Sequence, residues 1–142
     1  MSNTYYGADI SQYQGDIDWP AFDPGAAFVF IKAGGGDAGL YTDTKLERNK
    51  AGVRALGTTM PHGYYWFAGG GAPAVEADYF CNIMADLQFG EVLALDWEIS
   101  PGFDHDAFFH VSGLASSLIQ YIPERIAPVA LLTSPFLPRS IF

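Results

Sequence analysis

A chain of 142 residues, 49% hydrophobic and 16% charged, has the length and apolar content of one folded domain, which excludes intrinsic disorder. Seven Lys and Arg against sixteen Asp and Glu leave a formal charge of -9, which argues against a nucleic-acid partner and against docking on an anionic membrane. A lone cysteine, Cys81, excludes a disulfide framework and a thiolate metal cage, and no apolar run reaches the roughly 20 residues that span a bilayer.

Strand and helix patterns alternate along the chain. Tyr5–Ile10 reads as a short strand and Phe28–Ile31 as a second, closed by Gly34-Gly35-Gly36. Next comes a helix: Thr44 and Glu47 have the spacing of a capping box, Leu46, Val53 and Leu56 share one face, and Gly57 is placed to end it. Asn49 falls on that apolar face, which predicts a buried hydrogen-bonding role. Tyr64–Phe67 is a third strand, closed by Gly69-Gly70-Gly71. Pro73 suits the first turn of another helix, along which Val75, Tyr79, Phe80, Ile83, Met84 and Leu87 recur at helical spacing. Cys81 lies in that pattern and is expected to be a buried, inert thiol. Val92–Leu95 is a fourth strand. A further helix from Asp104 onward buries Phe108, Val111, Ala115, Leu118 and Ile119, and Val129–Leu132 is a fifth strand. The strands are continuously apolar rather than alternating, as in a parallel sheet covered on both faces. The pattern predicts a single α/β domain over 1–142.

In such sheets functional groups gather at the carboxyl ends of the strands. The first strand ends in Asp9 and the fourth in Leu95-Asp96-Trp97-Glu98. Residues two apart on a strand share a face, with Cα atoms about 6.6 Å apart. Asp96 and Glu98 are therefore expected to point into the cleft, and Trp97 towards the helices. Three carboxylates in one cleft repel one another, and desolvation disfavours ionisation, so one of them is expected to carry a raised pKa and act as an acid. Glycoside hydrolysis needs that pairing of an acid with an anion. An acidic residue after a strand commonly just caps the next helix, but Asp-x-Glu closing a wholly apolar strand weighs against that. Tyr65 and Phe67 share a face of the third strand, and aromatic rings beside carboxylates suit sugars, whose C–H faces pack on rings. The glycine triplets match no phosphate loop, and His62, His105 and His110 lack zinc-hydrolase spacing. Asp104-His105-Asp106 reads as the solvated start of a helix. No metal site and no cofactor is expected.

Taken together, several blocks resemble the N-acetylmuramidases (lysozymes) of glycoside hydrolase family 25. Gly7-Ala8-Asp9-Ile10-Ser11 with Gln14-Gly15-Asp16-Ile17-Asp18-Trp19 is similar to that family's opening, and Phe28–Ala33 to its second strand. Tyr41, Asp43 and Asn49 resemble the next block, Gly63 with Tyr65 and Phe67 the third strand, and Leu95-Asp96-Trp97-Glu98 the most telling motif. The resemblance implies a flattened β/α barrel of TIM-like type that cleaves the β-1,4 bond between N-acetylmuramic acid and N-acetylglucosamine in peptidoglycan. It implies Glu98 as general acid, Asp96 as the carboxylate assisting the substrate's acetamido group as internal nucleophile, and Asp9 as a supporting carboxylate. Tyr65, Phe67 and Lys32 are the implied substrate-binding residues.

Where the family usually has Thr-Glu-Gly, this chain has Gly34-Gly35-Gly36. Trp66 stands at a place often held by His, and Leu132 at one often held by Tyr. The family's last three strands have no counterpart, so the barrel is expected to be C-terminally incomplete, with about five β/α strands against the eight of a closed barrel. Two open edges, with Phe30, Ala94 and Leu131 meeting water on one side, predict self-association or a missing C-terminal segment. The opening residues lack the basic and apolar regions of a secretion signal, and the protein is expected to be secreted or released to the bacterial cell wall without a visible signal peptide, which fits a phage-encoded endolysin passed through the membrane by another protein. Two other readings remain open at this point: a catalytically impaired peptidoglycan-binding module, and a metal-dependent hydrolase using Asp9, Asp96 and Glu98 as oxygen ligands.

Overall fold

Five parallel strands and one short antiparallel partner form a single sheet in the computed structural model, which describes residues 5–22, 25–69, 71–98, 113 and 129–134. The strands are β1 (Gly7–Ile10), β2 (Phe28–Gly35), β3 (Tyr41–Thr42), β4 (His62–Phe67), β5 (Val92–Glu98) and β6 (Val129–Ser134). Helix α1 (Leu46–Ala55) lies between β3 and β4 in the chain, and α2 (Pro73–Ile83) between β4 and β5. The spatial order is β1-β2-β4-β5-β6, with β3 paired antiparallel to β2 off that path. All five expected strands are present, and β3 is an addition. The helix expected over 104–119 lies outside the described residues.

The expected α/β parallel sheet is present, and among the described residues it does not close into a barrel. Among the described residues β1 pairs only with β2 and β6 only with β5. A closed barrel requires a ladder joining its first and last strands, and no such ladder is formed between these two.

Residue parity divides the sheet into two faces. Ile10, Val29, Ile31, Tyr64, Trp66, Leu93 and Leu95 cluster with Leu46 and Val53 of α1 and Ala77 and Phe80 of α2. Burying one large apolar side chain of this kind stabilises by roughly 1.5–3 kcal/mol, so this cluster is what holds the helices on the sheet. Trp97 packs against the same core, as its place between Asp96 and Glu98 predicts. The opposite parity supplies Asp9, Phe30, Lys32, Tyr65, Phe67, Ala94 and Asp96. Ala94 is fully buried rather than facing water.

The start of α1 differs from expectation. The Thr44–Glu47 capping box is not formed, because Thr44 Oγ1 donates instead to Gln12 Oε1 at 2.9 Å. Asp43 takes over the helix entrance: its carboxylate accepts the Lys45 amide at 2.9 Å and its carbonyl accepts the Leu46 amide at 3.1 Å. Gly57, at φ 69°, follows the helix as predicted. Asn49 is fully buried, but neither polar atom of its side chain has a hydrogen-bond partner among the described residues. Helix α2 begins at Pro73 as expected and buries Phe80, which stacks on Trp66 with centroids 5.6 Å apart. Val75 is 52% exposed and outside the core. Cys81 is half-buried, and burial aided by Asp78 pushes its thiol up to about 11.

The glycine triplets mark close backbone contacts. A Cβ on Gly34 would lie 2.1 Å from the Tyr41 carbonyl oxygen, and one on Gly69 2.0 Å from that of Gly36. Below the opposite end of the sheet, Glu91 is buried among donors. Arg54 grips it through Nε at 2.7 Å and Nη2 at 2.9 Å, the Tyr64 hydroxyl donates at 2.9 Å, and the Gln88 amide at 2.7 Å. His62 Nε2 lies 3.1 Å from it. Arg54 also reaches Asp86 at 2.7 Å, which in turn pairs with Lys50, so α1 is clamped to the segment between α2 and β5.

Candidate active site

Register brings the candidate residues together at the carboxyl ends of the strands. Asp9 stands opposite Phe30, Lys32 opposite Tyr65, Tyr65 opposite Ala94, and Phe67 opposite Asp96. A bulge in β2 between Lys32 and Gly34 shifts the register just beyond Lys32. Glu98 is the last residue of β5, opposite Ser134. Its side chain lies outside the described residues.

Tyr65 is the hub. Its hydroxyl donates to the Asp9 carboxylate, joining β4 to β1 across β2. Burial pushes the phenol's pKa well up, and the negative charges of Asp9, Asp96 and Asp43 push it further, so Tyr65 stays a neutral donor. Three aspartates are thus within electrostatic reach of one hydroxyl. The Asp9 residue is solvent-accessible, but the protein around its carboxyl removes enough water to raise its pKa above the ordinary 3.8. The Tyr65 hydrogen bond and the charge of Lys32 oppose that rise without cancelling it. The cleft therefore sets a carboxyl of raised pKa beside a neutral phenol and within reach of the Lys32 charge.

Lys32 lies between two rings, its Nζ 4.7 Å from the Phe67 centroid and 5.7 Å from that of Tyr41. Burial raises the Tyr41 pKa, while a hydrogen bond to Lys32 lowers it in part. Asp43 is buried behind this group. Its carboxylate accepts the Gln12 amide at 2.9 Å as well as that of Lys45, and its own amide donates to the Ala33 carbonyl at 2.9 Å. It therefore ties the turn after β1 to the bulged end of β2. Tyr41 and Asp43 stand out in the sequence only as parts of a motif. Asp37, which also bonds Tyr41, carries no local signal at all.

A second buried carboxylate holds the end of β4. Glu76 accepts Trp66 Nε1 at 2.8 Å, the Gly69 amide at 3.0 Å and the Gly71 amide at 3.1 Å. Nearby, the Ala68 amide donates to the Asp96 carbonyl at 2.9 Å. Among the described residues no group of three His, Cys, Asp or Glu is arranged to hold a metal ion.

Fold and site together define an α/β protein whose carboxylates collect where its parallel strands end. The model of glycosyl hydrolases family 25 matches residues 8–121. Among solved structures, the chain is similar to a muramidase from Trichobolus zukalii at 23% identity and TM-score 0.62, over 89% of this chain and 64% of that one. A muramidase from Acremonium alcalophilum gives 21% and 0.62, over 90% and 65%. The CTP1L endolysin gives 22% and 0.58, over 91% and 48%. The chain thus spans a little under two thirds of the two muramidases and about half of the endolysin. No curated protein gives a significant match. The chain belongs to glycosyl hydrolases family 25.

Proposed function

We propose that this chain is a muramidase, cleaving the β-1,4 bond from N-acetylmuramic acid to N-acetylglucosamine in the bacterial cell wall. The observation that carries the reading is the Asp9–Tyr65 hydrogen bond with Asp96 in electrostatic reach, on the sheet face away from the helices. Family membership and the muramidase and endolysin names of its structural relatives support it. The open sheet is read as part of the family's flattened barrel, and the wall as the place of action.

In this mechanism Glu98 donates a proton to the glycosidic oxygen as the bond to the anomeric carbon breaks. The acetamido carbonyl oxygen of the same sugar forms the new bond to that carbon. Asp96 orients the amide and balances its positive charge, and Asp9, held by Tyr65, adds negative potential to the cleft. Water then attacks the anomeric carbon, losing a proton to Glu98 and restoring the acetamide. Substrate-assisted chemistry of this kind needs no enzymic nucleophile. Phe67 offers a ring to a sugar face, and Lys32 a donor to its hydroxyls.

The test is product analysis on purified wall. The native chain should release fragments whose new reducing ends are N-acetylmuramic acid, and Glu98→Gln should lose at least about 100-fold in rate with an unchanged melting curve. New reducing ends on N-acetylglucosamine, near-normal lysis by Glu98→Gln, or wall binding by the native chain without turnover would each overturn the proposal.

A further inference from the structure

Glu76, in the first turn of α2, is a carboxylate that the proposed cleavage does not use, and it is only 1% exposed. We propose that Glu76 is a positioning residue for that reaction. By gripping the Gly69 and Gly71 amides it keeps the last bond between β4 and β5 closed, and that bond holds Asp96 in place.

The chemistry of the grip comes first. Glu76 Oε2 accepts Trp66 Nε1 at 2.8 Å and the Gly69 amide at 3.0 Å, while Oε1 accepts the Gly71 amide at 3.1 Å. A carboxylate only accepts, whereas an amide side chain would turn its NH2 towards one of these N–H groups. Donor facing donor in a buried site loses the bond and leaves both groups unsatisfied. The packing leaves no slack around that grip. A Cβ on Gly36 would lie 2.5 Å from the Glu76 carboxyl carbon, and one on Gly69 would meet the Gly36 carbonyl. Carboxylate, Gly36 and Gly69 are thus stacked in contact, and a shift in one passes to the next. The stack ends on the cleft residues. The Gly36 amide donates to the Phe67 carbonyl at 2.9 Å, and the Ala68 amide to the Asp96 carbonyl at 2.9 Å. Phe67 is paired on both sides, with Gly35 and with Asp96, so it keeps its place when the loop loosens. The Ala68 bond lies beyond the last register pair of β4 and β5, one residue from Gly69, and is the first to open. Glu76 therefore acts on turnover through Asp96 more than on binding through Phe67.

This role rests on the muramidase reading, in which Asp96 orients the substrate's acetamide, but the backbone amides report it separately from turnover. The full chain is assayed on a soluble tetrasaccharide of alternating N-acetylglucosamine and N-acetylmuramic acid, and its amide resonances are followed by NMR. Glu76→Gln should lower kcat about tenfold while KM changes less than about threefold, and it should move the Ala68 and Gly71 amide resonances. Trp66→Phe removes one bond to the same carboxylate but leaves both glycine amides held. Its kcat should stay within about threefold of native even where it melts as early as Glu76→Gln, which a purely structural role would not allow. Gly71→Pro deletes one of the gripped amides from an exposed position and should lower kcat in the same direction, which carries the test if Glu76→Gln does not fold. A kcat for these two variants within about threefold of native, a loss confined to KM, an equal kcat loss in Trp66→Phe, or an unmoved Ala68 amide would overturn the positioning role. If the Ala68 amide moves as expected while the native chain releases no reducing ends, the hold on the Asp96 backbone stands and the muramidase reading falls.

Discussion

Replacing Glu91 by Gln removes the charge at the centre of the clamp that fastens α1 to the base of the sheet. Burial alone would raise this carboxyl's pKa. The paired Arg54 bonds, the Gln88 amide, the Tyr64 hydroxyl and His62 outweigh burial and lower it from 4.5 to about 2. At roughly 1.36 kcal/mol per pH unit, that difference corresponds to about 3 kcal/mol of stability carried by the ionised form. A depressed folded pKa means the contribution is complete above the unfolded value of 4.5 and is lost as pH falls towards 2. Domains are typically stable by only about 5–15 kcal/mol, so the loss should show clearly in urea melts. At pH 7 Glu91→Gln should be less stable than the native chain by about 3 kcal/mol. The gap should narrow between pH 4.5 and pH 2 as the native carboxyl takes up its own proton. A difference that stays constant with pH would refute the electrostatic account, and equal midpoints at pH 7 would show that the clamp adds nothing.

Tyr65→Phe deletes the hydroxyl that helps keep Asp9 ionised, so the acid-side midpoint of the lysis profile should move to higher pH. The lost hydrogen bond should also cost about 1 kcal/mol in thermal melts; an unmoved acid limb would remove Asp9 from the ionisations that govern rate. Gly34→Ala drives a methyl into the Tyr41 carbonyl, a backbone atom that cannot swing aside, and should destabilise by about 1–3 kcal/mol while loosening β3. Native-like melting of that variant would show that β3 yields freely.

The strands and the positions of the acidic residues were legible because both depend on local pattern: apolar runs that stop at Asp9 and at Asp96-Trp97-Glu98. Trp97 packing on the core follows from the same period of two. What escaped depends on distant partners. Strand β3 is two residues long and pairs with Gly34 and Gly35, too short to show any period. Thr44 has the spacing for a capping box, yet Gln12, 32 residues earlier, captures its hydroxyl. Asp43 gains its position by accepting an amide 31 residues away, which no window along the sequence reveals. The glycine triplets read as strand punctuation, while their reason is three-dimensional: Gly69 lies against the backbone of Gly36. Ala94 was expected to meet water, yet it stands in register between Tyr65 and Ala130 and is fully buried.

The division of the sheet by parity also governs how this protein can change. Deleting one residue of β5 ahead of Asp96 would rotate Leu93 and Leu95 into the cleft and press a carboxylate into the helix layer, an unpaired charge that a packed core does not tolerate. Insertions and deletions inside the strands are therefore closed to selection, whereas point substitutions at alternate positions are open. Variation in length belongs instead to the connections between strands, such as those beyond Ile10 and Gly35. Gln12 and Tyr13 after Ile10, and Asp37 and Ala38 after Gly35, border Lys32 at the strand ends, so lengthening either of those two loops reshapes the cleft while the hydrophobic layer beneath is inherited unaltered.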